Sequence, residues 1–79
     1  MITEGGRKMS ESVYKVLELI GTSGESWEKA ASAAVETASQ TIKDLRVAEV
    51  SEMDMVIEDG RIQKFRTKLK VSFKIQPHE

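Results

Sequence analysis

The pair Asp59-Gly60 stands between two long stretches in which apolar and charged side chains alternate. Asp-Gly tolerates the positive φ angles that both central positions of a two-residue type I′ turn require, so the pair predicts a tight antiparallel hairpin. The turn then sets the register. If Glu58 faces Arg61, Val50 faces Leu69, Ala48 faces Val71 and Arg46 faces Phe73, on a side shared with Phe65 and Thr67. That side is expected to cover a helix. The other side would carry Val47, Glu49, Ser51, Met53 and Met55 against Lys64, Arg66, Lys68, Lys70 and Ser72, a polar surface of mixed charge. In this register Glu49 lies opposite Lys70 as a solvated cross-strand pair.

Upstream, Val13, Tyr14, Val16, Leu17, Leu19 and Ile20 are broken only by Lys15 and Glu18, which suits a strand with apolar residues on both faces, ended by Gly21. Ser26 is a natural N-cap, with Glu28 in the first turn beside the positive end of the helix dipole. From Trp27, the residues Ala30, Ala31, Ala34, Val35, Ala38 and Ile42 recur at three- and four-residue spacing, predicting one amphipathic helix over Trp27 to Asp44. Its alanines let the helix axis approach a sheet closely. Trp27, the only tryptophan, lies on this apolar stripe and reads as a packing residue. The expected fold class is α+β: a βαββ subunit with a three-stranded antiparallel sheet and one helix on one face. Residues 1–11 are expected to be a flexible N-terminal extension, 12–76 the domain, and 77–79 a tail.

A chain of 79 residues buries a modest fraction of its surface alone. It has no cysteine, so disulfides and thiolate metal sites cannot supply the missing stability, and association with further copies is the remaining source. Two exposed sheet edges point the same way. A net charge of -1, from 12 basic and 13 acidic residues, argues against duplex nucleic acid and anionic membranes as partners. The absence of an apolar leader or a membrane-length apolar run predicts a soluble, cytoplasmic protein. Catalysis has little to work with: the sole histidine, His78, follows Pro77 in the tail, and Gly21 to Gly24 lacks the spacing and lysine of a phosphate loop. No catalytic residue is assigned, and the protein is expected not to be an enzyme.

From Val13 to Ile75 the chain resembles the dodecin family, in its V-Y-K-V start, G-T-S turn, L-R-x-x-E-V strand, E-D-G hairpin and L-K-V-x-F-K ending. The resemblance implies a βαββ subunit that assembles into a hollow dodecamer, most members stacking flavins between tryptophans. It places the flavin-stacking Trp at Val47, and the Gln that bonds the flavin's polar edge at Arg66. Neither residue supplies that chemistry, because ring stacking is worth roughly 1 to 3 kcal/mol by truncation and a valine offers none of it. Arg46-Val47-Ala48 together with Glu52-Met53-Asp54-Met55 resembles the calcium dodecin subgroup, which lacks that Trp.

The candidate ligand-binding residues are therefore Val47, Glu49 and Arg66, and the candidate metal ligands are Glu52 and Asp54, two apart on a strand with their carboxylates on one face. Calcium takes six to eight oxygens, so two carboxylates need further copies, backbone carbonyls or water to complete a site; the other reading is that both carboxylates lie in interface salt bridges with Lys or Arg. The basic ladder Lys64, Arg66, Lys68, Lys70 reads either as an attractor for anionic ligands such as a flavin phosphate or as the counter-charge to neighbouring acids. The leading expectation is a storage shell for a small ligand or ion, with a divalent cation such as calcium preferred to flavin (FMN or riboflavin). Two alternatives stand beside it. One is flavin buffering, with Met53 and Met55 forming an apolar slot; the other is a purely structural or protein-interaction module.

Overall fold

The computed structural model describes residues 11–75; the leader Met1 to Met9 and the tail with His78 lie outside them. Strand β1 (Tyr14–Ser23) leads to helix α1 (Trp27–Ser39), and strands β2 (Leu45–Glu58) and β3 (Arg61–Lys74) follow. The three strands form one antiparallel sheet in the order β1-β3-β2, so the last strand is central and the first two are edges. The expected βαββ subunit is what forms.

The hairpin turns as its sequence requires, with φ of 52° at Asp59 and 74° at Gly60. Ser26 caps α1, its hydroxyl accepting the Lys29 amide at 3.0 Å. The helix ends at Ser39, five residues before the expected Asp44. Here the amides of Thr41 and Ile42 both fold back on the Ala38 carbonyl, at 3.1 and 2.9 Å, and Asp44 at φ 64° turns the chain into β2. Ile42 remains half-buried after leaving the helix, which is why the apolar spacing runs on past the true end.

Gly21 does not end β1, which continues through Ser23. A Cβ at Gly21 would lie 2.0 Å from the Ala30 carbonyl oxygen, so the glycine is there to let α1 lie directly on the strand. Ala30, Ala34 and Ala38 are the buried helix residues, and they pack over β1 and β3 on Thr67, Leu69 and Val71. The one buried polar side chain among these, Thr67, donates its hydroxyl proton to the Trp27 carbonyl at 2.9 Å, so it carries no unsatisfied group into the core.

The register departs from a straight count in three places. Arg46, Ser51 and Gln63 are inserted residues without a partner across the ladder. Val50 still faces Leu69, Ala48 faces Val71 and Glu49 faces Lys70, because the insertion at Gln63 on β3 and that at Ser51 on β2 cancel. Between them the phase is shifted. Met53 pairs with Thr67 and Met55 with Phe65, which turns both methionines to the helix side, whereas Glu52 pairs with Lys68 and Asp54 with Arg66 on the open side. The expectation of Met53 and Met55 on the open face is thus corrected, and with it the apolar slot they were to form there. Leu45, not Arg46, faces Phe73.

Much of the apolar surface stays uncovered. Tyr14, Val16 and Ile20 on the open side of β1, and Met53, Ile57 and Ile62 on the hairpin beyond the start of the helix, are all exposed. Helix α1 barely reaches β2, and a groove of about 330 Å³ opens between Ala31, Ser32, Val35 and Glu36 on one wall and Ala48 and Val50 on the other.

Candidate ligand and cation site on the open face

The face of the sheet turned away from α1 takes its central row from β3, whose alternate residues Lys64, Arg66, Lys68, Lys70 and Ser72 all point there. The edge strand β2 contributes Val47, Glu49, Glu52, Asp54 and Val56. The inserted Ser51 is what brings Glu52 and Asp54 to this side; its hydroxyl donates to the Lys68 carbonyl at 3.2 Å, a bond across the strands at a point where the ladder is interrupted.

Arg66 holds Asp54 with both arms of a fork, Nε to Oδ1 at 2.7 Å and Nη2 to Oδ2 at 2.8 Å. The Arg66 hydrogen bond pulls the Asp54 carboxyl below its usual range, a slight loss of hydration opposes it, and the charges of Arg66 and Lys68 add to the lowering. The same bond and the Asp54 charge raise the guanidinium. One step along the ladder, Lys68 Nζ lies 3.1 Å from Glu52 Oε1. Below Asp54 the backbone is pinned: the Trp27 indole donates to the Asp54 carbonyl at 3.0 Å, and its ring meets Phe65 edge-on at 5.0 Å between centroids. Trp27 is a packing residue, as expected, and it also ties the start of α1 to the strand carrying the acids.

Salt bridges of Glu52 and Asp54 with Lys or Arg are one expectation from the sequence; that the partners are Lys68 and Arg66 of the same chain, and that Trp27 bonds the Asp54 carbonyl, depends on the phase set by Ser51. The signal for Ser51 was only a small polar residue inside an otherwise alternating strand. Glu49 does lie opposite Lys70, but no ion pair joins the two. A shallow hollow of about 380 Å³ crosses the face here, lined by Glu18, Ile20, Ser51, Glu52, Lys68 and Lys70.

The structure brings Glu52, Asp54, Arg66 and Lys68 together. It does not bring Val47 to them. Val47, exposed, faces Ser72, and Ser72 is six residues from Arg66, roughly 20 Å along the strand. A flavin ring is too short to touch both positions of one subunit, so a site using them draws each from a different copy.

The family model for Dodecin matches residues 13–76. The chain is a member of the dodecin family. Calcium dodecin of Mycobacterium tuberculosis is 50% identical over 66 residues, spanning 84% of this chain and 93% of that protein. The crystal structure of the calcium dodecin from M. tuberculosis, reported as a calcium-chelating immunodominant antigen with a novel calcium-binding site, superimposes with a TM-score of 0.74 at 51% identity, covering 86% of this chain and 97% of that one. The dodecin of Streptomyces coelicolor superimposes with a TM-score of 0.82 at 36% identity, over 89% of this chain and all of the other.

The donors of this dodecin chain suit calcium in kind but not in number. Glu52 and Asp54 offer hard carboxylate oxygens on one face, yet among the described residues no three acidic, histidine or cysteine side chains converge on a point. A calcium ion bound here would take only part of its coordination shell from one subunit, and the rest would have to come from carbonyls, water or other copies. For a flavin the fit is poorer: Val47, where the resemblance puts the stacking ring, has no ring to offer, and Arg66 is paired with Asp54.

Proposed function

We propose that this dodecin is a non-enzymatic, cytoplasmic protein whose copies close into a hollow shell of twelve, and that the open face of its sheet binds a divalent cation, calcium first, in preference to a flavin. The observation that carries the reading is the fork between Arg66 and Asp54. Where the family resemblance calls for an amide at the edge of a flavin, this chain has a charged pair, and the neighbouring pair of Lys68 and Glu52 extends the same ionic surface. Glu52 and Asp54 are the proposed metal ligands, with Glu49 on the same face; Val47 and Arg66 mark the degraded flavin positions. The calcium dodecin of M. tuberculosis, at 50% identity, supports the choice of ion.

Assembly is supported by the surface left open in a single copy. Among the described residues both edge strands are unpaired on one side, and exposed apolar residues flank the sheet on both faces. Burial of such residues is worth about 25 cal/mol per Å² of apolar surface removed from water, which is the stabilisation a chain of this length lacks alone. A net charge of -1 gives nucleic acid no electrostatic hold, and no described helix is long and apolar enough to cross a membrane.

The test is a paired titration. Riboflavin and FMN are added to the purified protein while flavin fluorescence is followed, once with chelator and once with calcium, and thermal unfolding is recorded in both. The expected result is no quenching at micromolar flavin and a higher unfolding temperature with calcium. Micromolar or tighter quenching, with no effect of calcium, would favour flavin buffering instead. A shell indifferent to both would favour a purely structural role.

A further inference from the structure

Each carboxylate proposed as a cation ligand already faces a cation of its own chain. Asp54 receives two hydrogen bonds from Arg66, and Glu52 sits 3.1 Å from the Lys68 ammonium. The pairs are open to water: the side chains of Arg66 and Asp54 are 36% and 43% exposed, those of Lys68 and Glu52 40% and 66%. A basic head can therefore swing into solvent without leaving a charge stranded in the interior. Lys68 has a second place to go, since Glu18 lines the same hollow.

The acids are held differently. Asp54 is fixed through its own carbonyl by the Trp27 indole, and Glu52 follows directly on the Ser51 insertion, whose hydroxyl is bonded across to β3. The strand backbone beneath both carboxylates is held, and the basic side chains that neutralise them are open to water and free to be displaced. We propose that Arg66 and Lys68 are built-in competitors, which neutralise Asp54 and Glu52 in the metal-free protein and which a divalent cation must displace in order to bind. This rests on the cation reading above and adds what sets the affinity and selectivity of that site.

The chemistry favours divalent over monovalent ions. A sodium ion brings one charge, the same as the guanidinium it would expel, and must also replace two short charge-assisted hydrogen bonds. A calcium ion brings two charges and takes six to eight oxygens, so it can gain more than the fork loses. In the metal-free protein the competitors also remove the repulsion between acids on the same face.

The experiment is calcium titration by calorimetry in low-salt buffer, on the assembled full-length protein, with native mass recorded for every variant to establish that assembly is intact. Wild type is compared with Arg66→Gln, Arg66→Met, Lys68→Gln and Asp54→Asn. An exposed pair of this kind, together with the loss of one nearby positive charge, sets the expected gain for Arg66→Gln on the order of tenfold tighter binding. Arg66→Met should gain by a similar factor although it brings no oxygen, Lys68→Gln should gain less, and Asp54→Asn should bind more weakly than wild type. Wild-type binding that is matched or weakened in both Arg66 variants overturns the competitor proposal while leaving the cation reading intact. Binding unaffected by Asp54→Asn, or no binding by any form, overturns the cation reading and the competitor proposal with it.

Discussion

The two faces of this sheet solve the same problem with opposite means. On the helix side, contact is made by removing bulk: Gly21, Ala30, Ala34 and Ala38 bring the helix against Thr67, Leu69 and Val71, which are buried within one chain, although Val50 and Met53 on the same side stay exposed. On the open side, long charged residues stand in pairs on the surface, with exposed Tyr14, Val16, Ile20 and Val47 around them and no element among the described residues packed over them. The first face belongs to the stability of the subunit. The second belongs to what the subunit meets. Substitutions should separate the two, those beneath the helix acting on folding and those on the open face acting on ligands and assembly.

The sharpest way to break the contrast is Gly21→Ala. Its methyl would be driven into the Ala30 carbonyl at 2.0 Å, and because that atom is backbone of the packed helix, the helix itself has to move. A loss of about 3 kcal/mol or more is expected, read as a large fall in thermal midpoint or as insoluble protein. Next is Leu69→Ala, which empties a site that is 1% exposed and should cost about 2 to 5 kcal/mol by the same measurement. A soluble, fully stable Gly21→Ala protein would show that the close approach of helix and strand is not what holds the subunit together.

Trp27→Phe probes the link between the faces. It keeps an aromatic ring against Phe65 but removes the donor to the Asp54 carbonyl. About 1 kcal/mol of stability should be lost, and calcium binding should weaken as well, because the strand carrying Asp54 is no longer pinned. A loss of stability with unchanged calcium affinity would cut that link.

The smallest effect is expected at the surface pair. Arg66 holds the Asp54 carboxyl below its ordinary value, so the folded state binds this proton less readily than the unfolded chain. The stabilisation is therefore present above the ordinary carboxylate range and disappears as the pH falls through the lowered folded value. Melting curves of wild type and Asp54→Asn should run parallel, slightly apart, at neutral pH and should meet only below about pH 4. Curves that converge already near neutrality would mean that the fork is not maintained in solution.

The helix side was the legible side. Asp59-Gly60 gave the turn, Ser26 the cap and the alanines the packing face, each because a local rule acts within a few residues. The open side was legible only in outline. Val47, Glu49 and Arg66 were placed on it correctly, but Met53 and Met55 were not, because the insertions at Ser51 and Gln63 reverse the phase and then restore it. A count from the turn returns to the right register at Val50 and Leu69, and so conceals the shifted segment that holds Glu52 and Asp54. Gly21 was misread for a related reason. A strand residue that must lack a side chain looks, in sequence, the same as a residue that ends the strand.

The contrast between a core packed beneath the helix and an open face without such cover is tested most directly by the native mass of the purified protein at micromolar concentration, without calcium or flavin. A single closed species of twelve copies is expected, held by apolar edges and by the open face of each subunit. A stable, folded monomer or dimer would contradict it.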